Sequence, residues 1–251
     1  MNCFKLHNSK EVLIVGAGHG IGLGIVSEIL SRNKEVVLHA TFRDKDSATP
    51  LFQNQTHPRL IIHELDPCDE DSVSTLANNL KGKEFDLIIN SVGLLHNSKI
   101  SPEKSFKSFK VENFLELMKI NASVSALIFK YFEASLSKKN ISAFVGISAK
   151  VGSIEDNNLG GWYSYRSSKA AMNMLLKCIS IEAKRKRKDC IVLAIHPGTT
   201  DTELSHPFSN NISYKIHSIE ETANNILNVI EGKSLEDSGH FYSWDGEELP
   251  W

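Results

Sequence analysis

A chain of 251 residues with 41% hydrophobic residues can bury a substantial core, and one α/β domain over residues 1–251 is the natural reading at that length. The formal net charge of −2 gives no reason to expect nucleic acid or an anionic membrane surface as a partner. Four scattered cysteines, Cys3, Cys68, Cys178 and Cys190, form no C-x-x-C pair; this argues against a zinc site and a disulfide framework, so no metal is expected, and it suits a reducing cytoplasm.

The opening residues, MNCFKLHNSK, hold no apolar h-region, so no secretory signal is expected, and no stretch approaches the ~18 apolar residues of a membrane span. Strand-like runs and amphipathic segments then alternate along the chain, the pattern of βαβ units on a parallel sheet. The first strand, 11–15, leads into Gly16-Ala17-Gly18-His19-Gly20-Ile21-Gly22 and a helix predicted over 20–31. Glycine there permits a positive φ in a tight turn and close approach of a pyrophosphate to the backbone, while the helix start offers free N–H groups. A glycine-rich turn used only for packing is the plainer alternative, but the strand-before, helix-after context favours a dinucleotide site.

The second strand, 35–41, ends in His39-Ala40-Thr41-Phe42-Arg43. An NAD-preferring dehydrogenase, or a methyltransferase holding S-adenosylmethionine in a similar loop, would place a carboxylate there for the ribose hydroxyls. A guanidinium arrives instead. Arg43 suits a 2′-phosphate, with His19 as a second contact, so NADP(H) is the expected cofactor. Arg43 as a merely solvated loop residue is the competing reading.

Strands follow at 60–64 and 85–90, separated by a helix at 70–80, and a long loop at 91–110 leads to a helix predicted over 111–137. The fifth strand, 142–148, gives way to a loop at 149–161 and a helix over 162–186. Its last turn carries Lys184-Arg185-Lys186-Arg187-Lys188, a run that favours the helix terminus electrostatically, with a nucleic-acid or localisation role as the alternative. A strand at 190–195, a loop at 196–218, a helix at 219–230 and a strand at 240–242 complete the series. The expected fold is a single-domain, Rossmann-type, doubly wound, mainly parallel seven-stranded sheet. All three long loops follow strands, where open α/β sheets bind ligands.

Tyr165 and Lys169 stand four residues apart near the start of the 162–186 helix, which puts phenol and ammonium on one face. A neighbouring cation favours the phenolate, so Tyr165 is expected to titrate below the ordinary tyrosine value of ~10 and to exchange a proton with a carbonyl or alcohol oxygen. That spacing is common on helices by chance; its place after the fifth strand gives it meaning.

These motifs, in this order, resemble the short-chain dehydrogenase/reductase family over essentially the whole chain. Gly16, Gly20 and Gly22 match its G-x-x-x-G-x-G loop, with Val15 where Thr is common. Asn90-Ser91-Val92-Gly93 resembles its N-N-A-G segment, departing at Ser91 and Val92, and Pro197-Gly198-Thr199-Thr200-Asp201-Thr202 its P-G loop. The segments Gly152-Ser153-Ile154, 160–166 and 245–251 resemble most the C-factor and sniffer-like carbonyl reductases.

The resemblance implies NADP(H) contacts from Gly16, Gly18, His19, Gly20, Ile21, Gly22 and Arg43, from Asp66 at the adenine with Pro67 beside it, and from Asn90 and Gly93. It adds Tyr165, Lys169, Pro197, Gly198, Thr200 and, at the carboxamide, Thr202. It implies a carbonyl or alcohol substrate, Tyr165 as general acid/base, Lys169 on the nicotinamide ribose, and Asn121 holding a water that links Lys169 to solvent. A buried, satisfied amide at a helix kink is the alternative for Asn121. It also implies a specificity region with Leu204, Phe208 and Tyr214, and a homodimer or homotetramer through the helices beginning near Val111 and Trp162.

The family places a hydroxyl three residues before the glycine that corresponds to Gly152, and that position is Ala149. Ser148 is one residue earlier, a slip that turns a side chain to the other face of an extended segment. Two readings follow. The expected catalytic hydroxyl is Ser148, serving the substrate oxygen because the strand end bends toward Tyr165; the alternative is that Ser148 is structural and Ser153, another residue or a water takes the role. Two functions from different classes follow too: an NADP(H)-dependent carbonyl reductase or alcohol dehydrogenase, and a catalytically weak cofactor-binding sensor or scaffold.

Overall fold

The strand-like runs, of which 12–15, 87–89 and 191–195 are apolar without alternation and buried throughout, form one sheet. In a computed structural model that describes residues 3–53, 57–186, 189–208 and 215–251, these are β1 (Glu11–Val15), β2 (Val37–Phe42), β3 (Leu60–Glu64), β4 (Leu87–Asn90), β5 (Ser142–Ile147), β6 (Cys190–His196) and β7 (His240–Ser243). They pair in the order β3-β2-β1-β4-β5-β6-β7, every pair parallel. The sheet is therefore wholly parallel rather than mainly so.

Alternate residues of each strand feed two separate cores. Val12, Ile14, Leu38, Ile89, Val145 and Leu193 face α1 (Gly20–Arg32) and α7 (Ile219–Glu231). Leu13, Val15, Ile88, Phe144, Val192 and Phe241 face α3 (Glu70–Asn79), α5 (Val124–Phe132) and α6 (Tyr163–Arg185). Each fully buried side chain of this kind contributes about 1.5–3 kcal/mol. The remaining helices are α2 (Thr49–Gln53) and α4 (Val111–Leu117).

Strand order reverses between β1 and β4, and the loops leaving their carboxyl ends flank that switch point, with Val15 paired to Asn90. Besides small shifts in β2 and β4 and the unexpected short helix α2, two differences from the sequence expectation bear on the site. The helix expected over 111–137 is interrupted by a π turn at Met118–Ser123, which holds Asn121. Strand β5 ends at Ile147, so Ser148 lies just beyond it rather than inside it.

At the end of α6, Lys186 reaches Glu182 (2.6 Å) and Glu133 (3.0 Å), which gives the basic run a structural use; Arg187 and Lys188 lie outside the described residues. No helix among the described residues is long and apolar enough to cross a membrane, and none of their His, Cys, Asp and Glu groups could hold a metal ion.

Candidate active site

The glycine loop is fixed from both sides. Gly16 N–H donates to the Thr41 hydroxyl (3.1 Å) and Ala17 N–H to the Thr41 carbonyl (2.7 Å), hooking the loop to the end of β2. From the end of β4, the Ser91 hydroxyl lies 2.9 and 2.8 Å from the main-chain oxygens of Val15 and Gly16. Glycine is required at two points: Gly16 has φ +82°, and a Cβ on Gly22 would sit 2.2 Å from the Gly16 oxygen. Helix α1 then begins with no side chain capping its first turn, and exposed His19 occupies the cap position.

Arg43 follows β2, exposed and without hydrogen bond or ion pair among the described residues. Exposed Asp66 follows β3 and accepts from Cys68 N–H (2.9 Å), with Pro67 buried beside it. A glycine cradle, a helix start without a side-chain cap and an exposed guanidinium at the next strand end fit a dinucleotide that carries an extra phosphate. Asn90 has a different local role: it donates to the Ser125 hydroxyl (2.8 Å) and accepts from Val92 N–H (3.1 Å), shaping the turn after β4.

A cavity of about 640 Å³ opens beside the glycine loop. It brings together Ile21, Gly93, Ser148, Tyr165, Lys169, Pro197, Gly198, Thr200 and Thr202. Gly16, Gly18, His19, Gly20, Gly22, Arg43, Asp66, Pro67, Asn90 and Asn121 are outside its lining. The loop after β6 returns toward the glycine loop, since a Cβ on Gly20 would lie 3.7 Å from Thr202 Cγ2. Thr200 is anchored to α7 through the Thr222 hydroxyl (2.9 Å). Gly198 (φ +78°) packs on His217 and Trp244.

At the other end, the Tyr165 hydroxyl makes no hydrogen bond to the described residues, although the residue is only 7% exposed. The Lys169 ammonium donates to the Ile147 carbonyl (2.9 Å) and lies 5.9 Å from the centre of the Tyr165 ring. Burial pushes Lys169 down to about 8 and pushes the Tyr165 phenol above its usual value. The expected lowering of Tyr165 by its neighbour is thus corrected: desolvation of both groups outweighs an ammonium that faces the ring and bonds elsewhere.

Asn121 is fully buried. Its side chain accepts from Leu94 N–H (2.7 Å) and donates to the Leu94 carbonyl (2.8 Å) and the Ser168 hydroxyl (2.9 Å). These bonds satisfy the amide and tie the π turn to the loop after β4 and to α6. The Ser148 hydroxyl donates to Asn173 Oδ1 (2.6 Å) and has no bond to Tyr165. Ser153 is occupied as well, with its hydroxyl 3.2 Å from the Trp251 oxygen and accepting from Asp156 N–H (3.0 Å). Ser148 thus shares the cavity with Tyr165, but among the described residues neither hydroxyl bonds to it, since Ser148 bonds to buried Asn173 and Ser153 to Trp251 and Asp156.

Other residues of the site had no motif to announce them. Leu95, Val151 and Trp162 join Leu204 and Phe208 in an apolar wall around Tyr165. His196, pushed down to about 4 by burial, presents a neutral imidazole in the same cavity. Buried Glu103 receives both the amide (3.3 Å) and the hydroxyl of Ser164 and so caps the start of α6; only the Gly160-Gly161 pair hinted at this special entry. Tyr214 lies outside the described residues.

The family model described as short chain dehydrogenase matches residues 10–213. A 1-hydroxy-2-glutathionyl-2-methyl-3-butene dehydrogenase from Rhodococcus sp. strain AD45 is 30% identical over 96% of this chain and 100% of its own. Among solved structures, the NADPH-bound carbonyl reductase from chicken fatty liver superposes with TM-score 0.84 at 28% identity, covering 96% of this chain and 94% of that one. The carbonyl reductase Sniffer of D. melanogaster superposes with TM-score 0.85 at 23% identity, covering 96% and 99%, which shows a shared fold.

Proposed function

Because the chain belongs to the short chain dehydrogenase family, we propose that it is an NADP(H)-dependent oxidoreductase that interconverts a carbonyl and an alcohol, with Tyr165 as the acid/base. One observation carries this reading: a phenol whose hydroxyl makes no hydrogen bond among the described residues lines the cavity one helical turn from a buried lysine. The bound state of the chicken carbonyl reductase supports the cofactor, together with exposed Arg43 and the uncapped start of α1.

When bound, NADPH supplies the hydride that the carbonyl carbon accepts. The chain's own residues do the rest. The glycine loop and α1 start would hold the pyrophosphate, and Arg43 the 2′-phosphate. Thr200 and Thr202 would border the nicotinamide. Burial keeps the Tyr165 phenol protonated at neutral pH, as an acid for reduction requires, and its O–H proton passes to the carbonyl oxygen. The Lys169 ammonium then stabilises the phenolate left behind, and the phenolate regains its proton from solvent. Asn121 contributes by holding α6 against the loop after β4. Ser148 lines the same cavity with its hydroxyl bonded to Asn173, which gives it a structural role in this reading.

The test is NADPH oxidation against a panel of aldehydes, ketones and quinones, with Tyr165→Phe as control. Turnover lost in the variant is the expected outcome. A second reading, a catalytically weak cofactor-binding sensor, draws on the hydroxyls of Ser148 and Ser153 being engaged elsewhere; NADPH binding with no turnover of any substrate would favour it. Exposed Val111 and Leu115 on α4, with Met174 and Ile181 on α6, support a homodimer or homotetramer, which light scattering would measure.

A further inference from the structure

Among the described residues, Trp162 is the one non-glycine residue with a positive φ, at φ 49° and ψ 40°. It follows Gly160 (φ +62°) and Gly161 (φ +64°), so three left-handed residues in a row turn the chain into α6. Glycine suits such a position; a bulky aromatic residue is an outlier there. Strained residues persist where their surroundings over-determine them, and an observed outlier is a pointer to function.

The surroundings do over-determine it. Trp162 N–H donates to the Glu103 carbonyl (2.7 Å), and its own carbonyl accepts from Arg166 N–H (2.8 Å). The Arg166 guanidinium reaches back to the carbonyls of Gly160 and Gly161, at 3.1 Å each. The result is an indole set edge-to-face against the Tyr165 ring (centroids 6.2 Å) and against Phe208 (5.1 Å). Phe208 meets His96 in the same way (5.5 Å), and His96 Nε2 lies 3.1 Å from the Leu204 carbonyl. Trp162 thus stands between Tyr165 and the segment after β6, on the apolar wall of the cavity.

We infer that Trp162 is a specificity-determining residue. Its left-handed backbone presents the indole as a rigid aromatic wall that favours a carbonyl bearing an aryl group over one bearing a short alkyl chain. This rests on the reductase reading of the same site. An aromatic body beside Tyr165 gains edge-to-face contact with the indole and buries against Leu95 and Leu204, whereas a short chain leaves that wall unfilled.

The test uses the full chain with NADPH and the ratio of kcat/KM for an aryl ketone to that for a short alkyl ketone. Trp162→Gly removes the ring while suiting the backbone, and the ratio should fall by about 10–100-fold. Trp162→Phe keeps a ring and should hold the ratio within about threefold of the starting value. Trp162→Asn, which also tolerates the left-handed region, reads the same ratio if the glycine variant does not fold. Equal losses on both ketones, or no aryl preference in the unmodified chain, would overturn the inference alone. An unmodified chain that reduces no carbonyl overturns the reductase reading and this inference together.

Discussion

The two ends of the cleft are built on opposite plans. Around the glycine loop, the groups facing solvent stay open: the first turn of α1 has no side-chain cap, and exposed Arg43 has no hydrogen bond or ion pair among the described residues. Around Tyr165 nearly every polar group is buried and satisfied within the chain. Asn121 makes three hydrogen bonds, Lys169 donates to Ile147, Ser148 to Asn173, and Glu103 receives Ser164. Among the described residues the Tyr165 hydroxyl is left over, together with the buried Nδ1 of His196 on the same cavity wall. Open donors at one end suit a large anionic ligand that arrives from solvent. A largely satisfied frame around an open phenol at the other suits a proton transfer that must be aimed.

This contrast can be broken from either side. The largest effect is expected at Lys169: Lys169→Met should lower kcat by about 10²–10⁴-fold with the fold kept, measured by steady-state reduction and circular dichroism. In the unmodified chain, kcat/KM for reduction should fall as pH rises through about 8, where the ammonium loses its proton. The same group bears on stability with a fixed sign. Its folded value lies below the unfolded ~10.4, so the unfolded chain binds more protons between the two, and this group's contribution to stability rises with pH across that window.

At the open end, Arg43→Ala should raise KM for NADPH by about 10–100-fold while changing KM for NADH by less than about threefold, because a charge-assisted bond to the extra phosphate is worth about 1.5–3 kcal/mol. Equal changes for both cofactors would make Arg43 a solvated loop residue. Smaller still, Glu103→Ala should cost about 1–3 kcal/mol in urea unfolding, since Ser164 loses a buried acceptor and α6 loses its cap. Smallest is Ser148→Ala, expected to cost about 0.5–1.5 kcal/mol of stability through the lost bond to Asn173, with kcat changed less than about threefold. A large loss of kcat there would return Ser148 to the substrate.

What could be read from the chain alone was local. The glycine loop, the i, i+4 placement of Tyr165 and Lys169, and the strand series follow from spacing and periodicity within one or two elements. What could not be read depends on partners distant in sequence. The π turn arises because Asn121 reaches Leu94, and the direction of Ser148 is decided by Asn173. The left-handed Trp162, a strain of about 1–3 kcal/mol, is held by Glu103. The expectation for the Tyr165 phenol fails for the same reason: spacing puts a cation nearby, whereas burial and the Ile147 carbonyl decide what that cation does.

The division of labour between the two ends is tested most directly by measuring NADPH binding and NADPH turnover on one variant, Tyr165→Phe. Binding within about threefold of the unmodified chain, with kcat lowered by about 10²–10⁴-fold, is the predicted result. Turnover that survives the loss of the hydroxyl, or binding that is lost along with it, would contradict it.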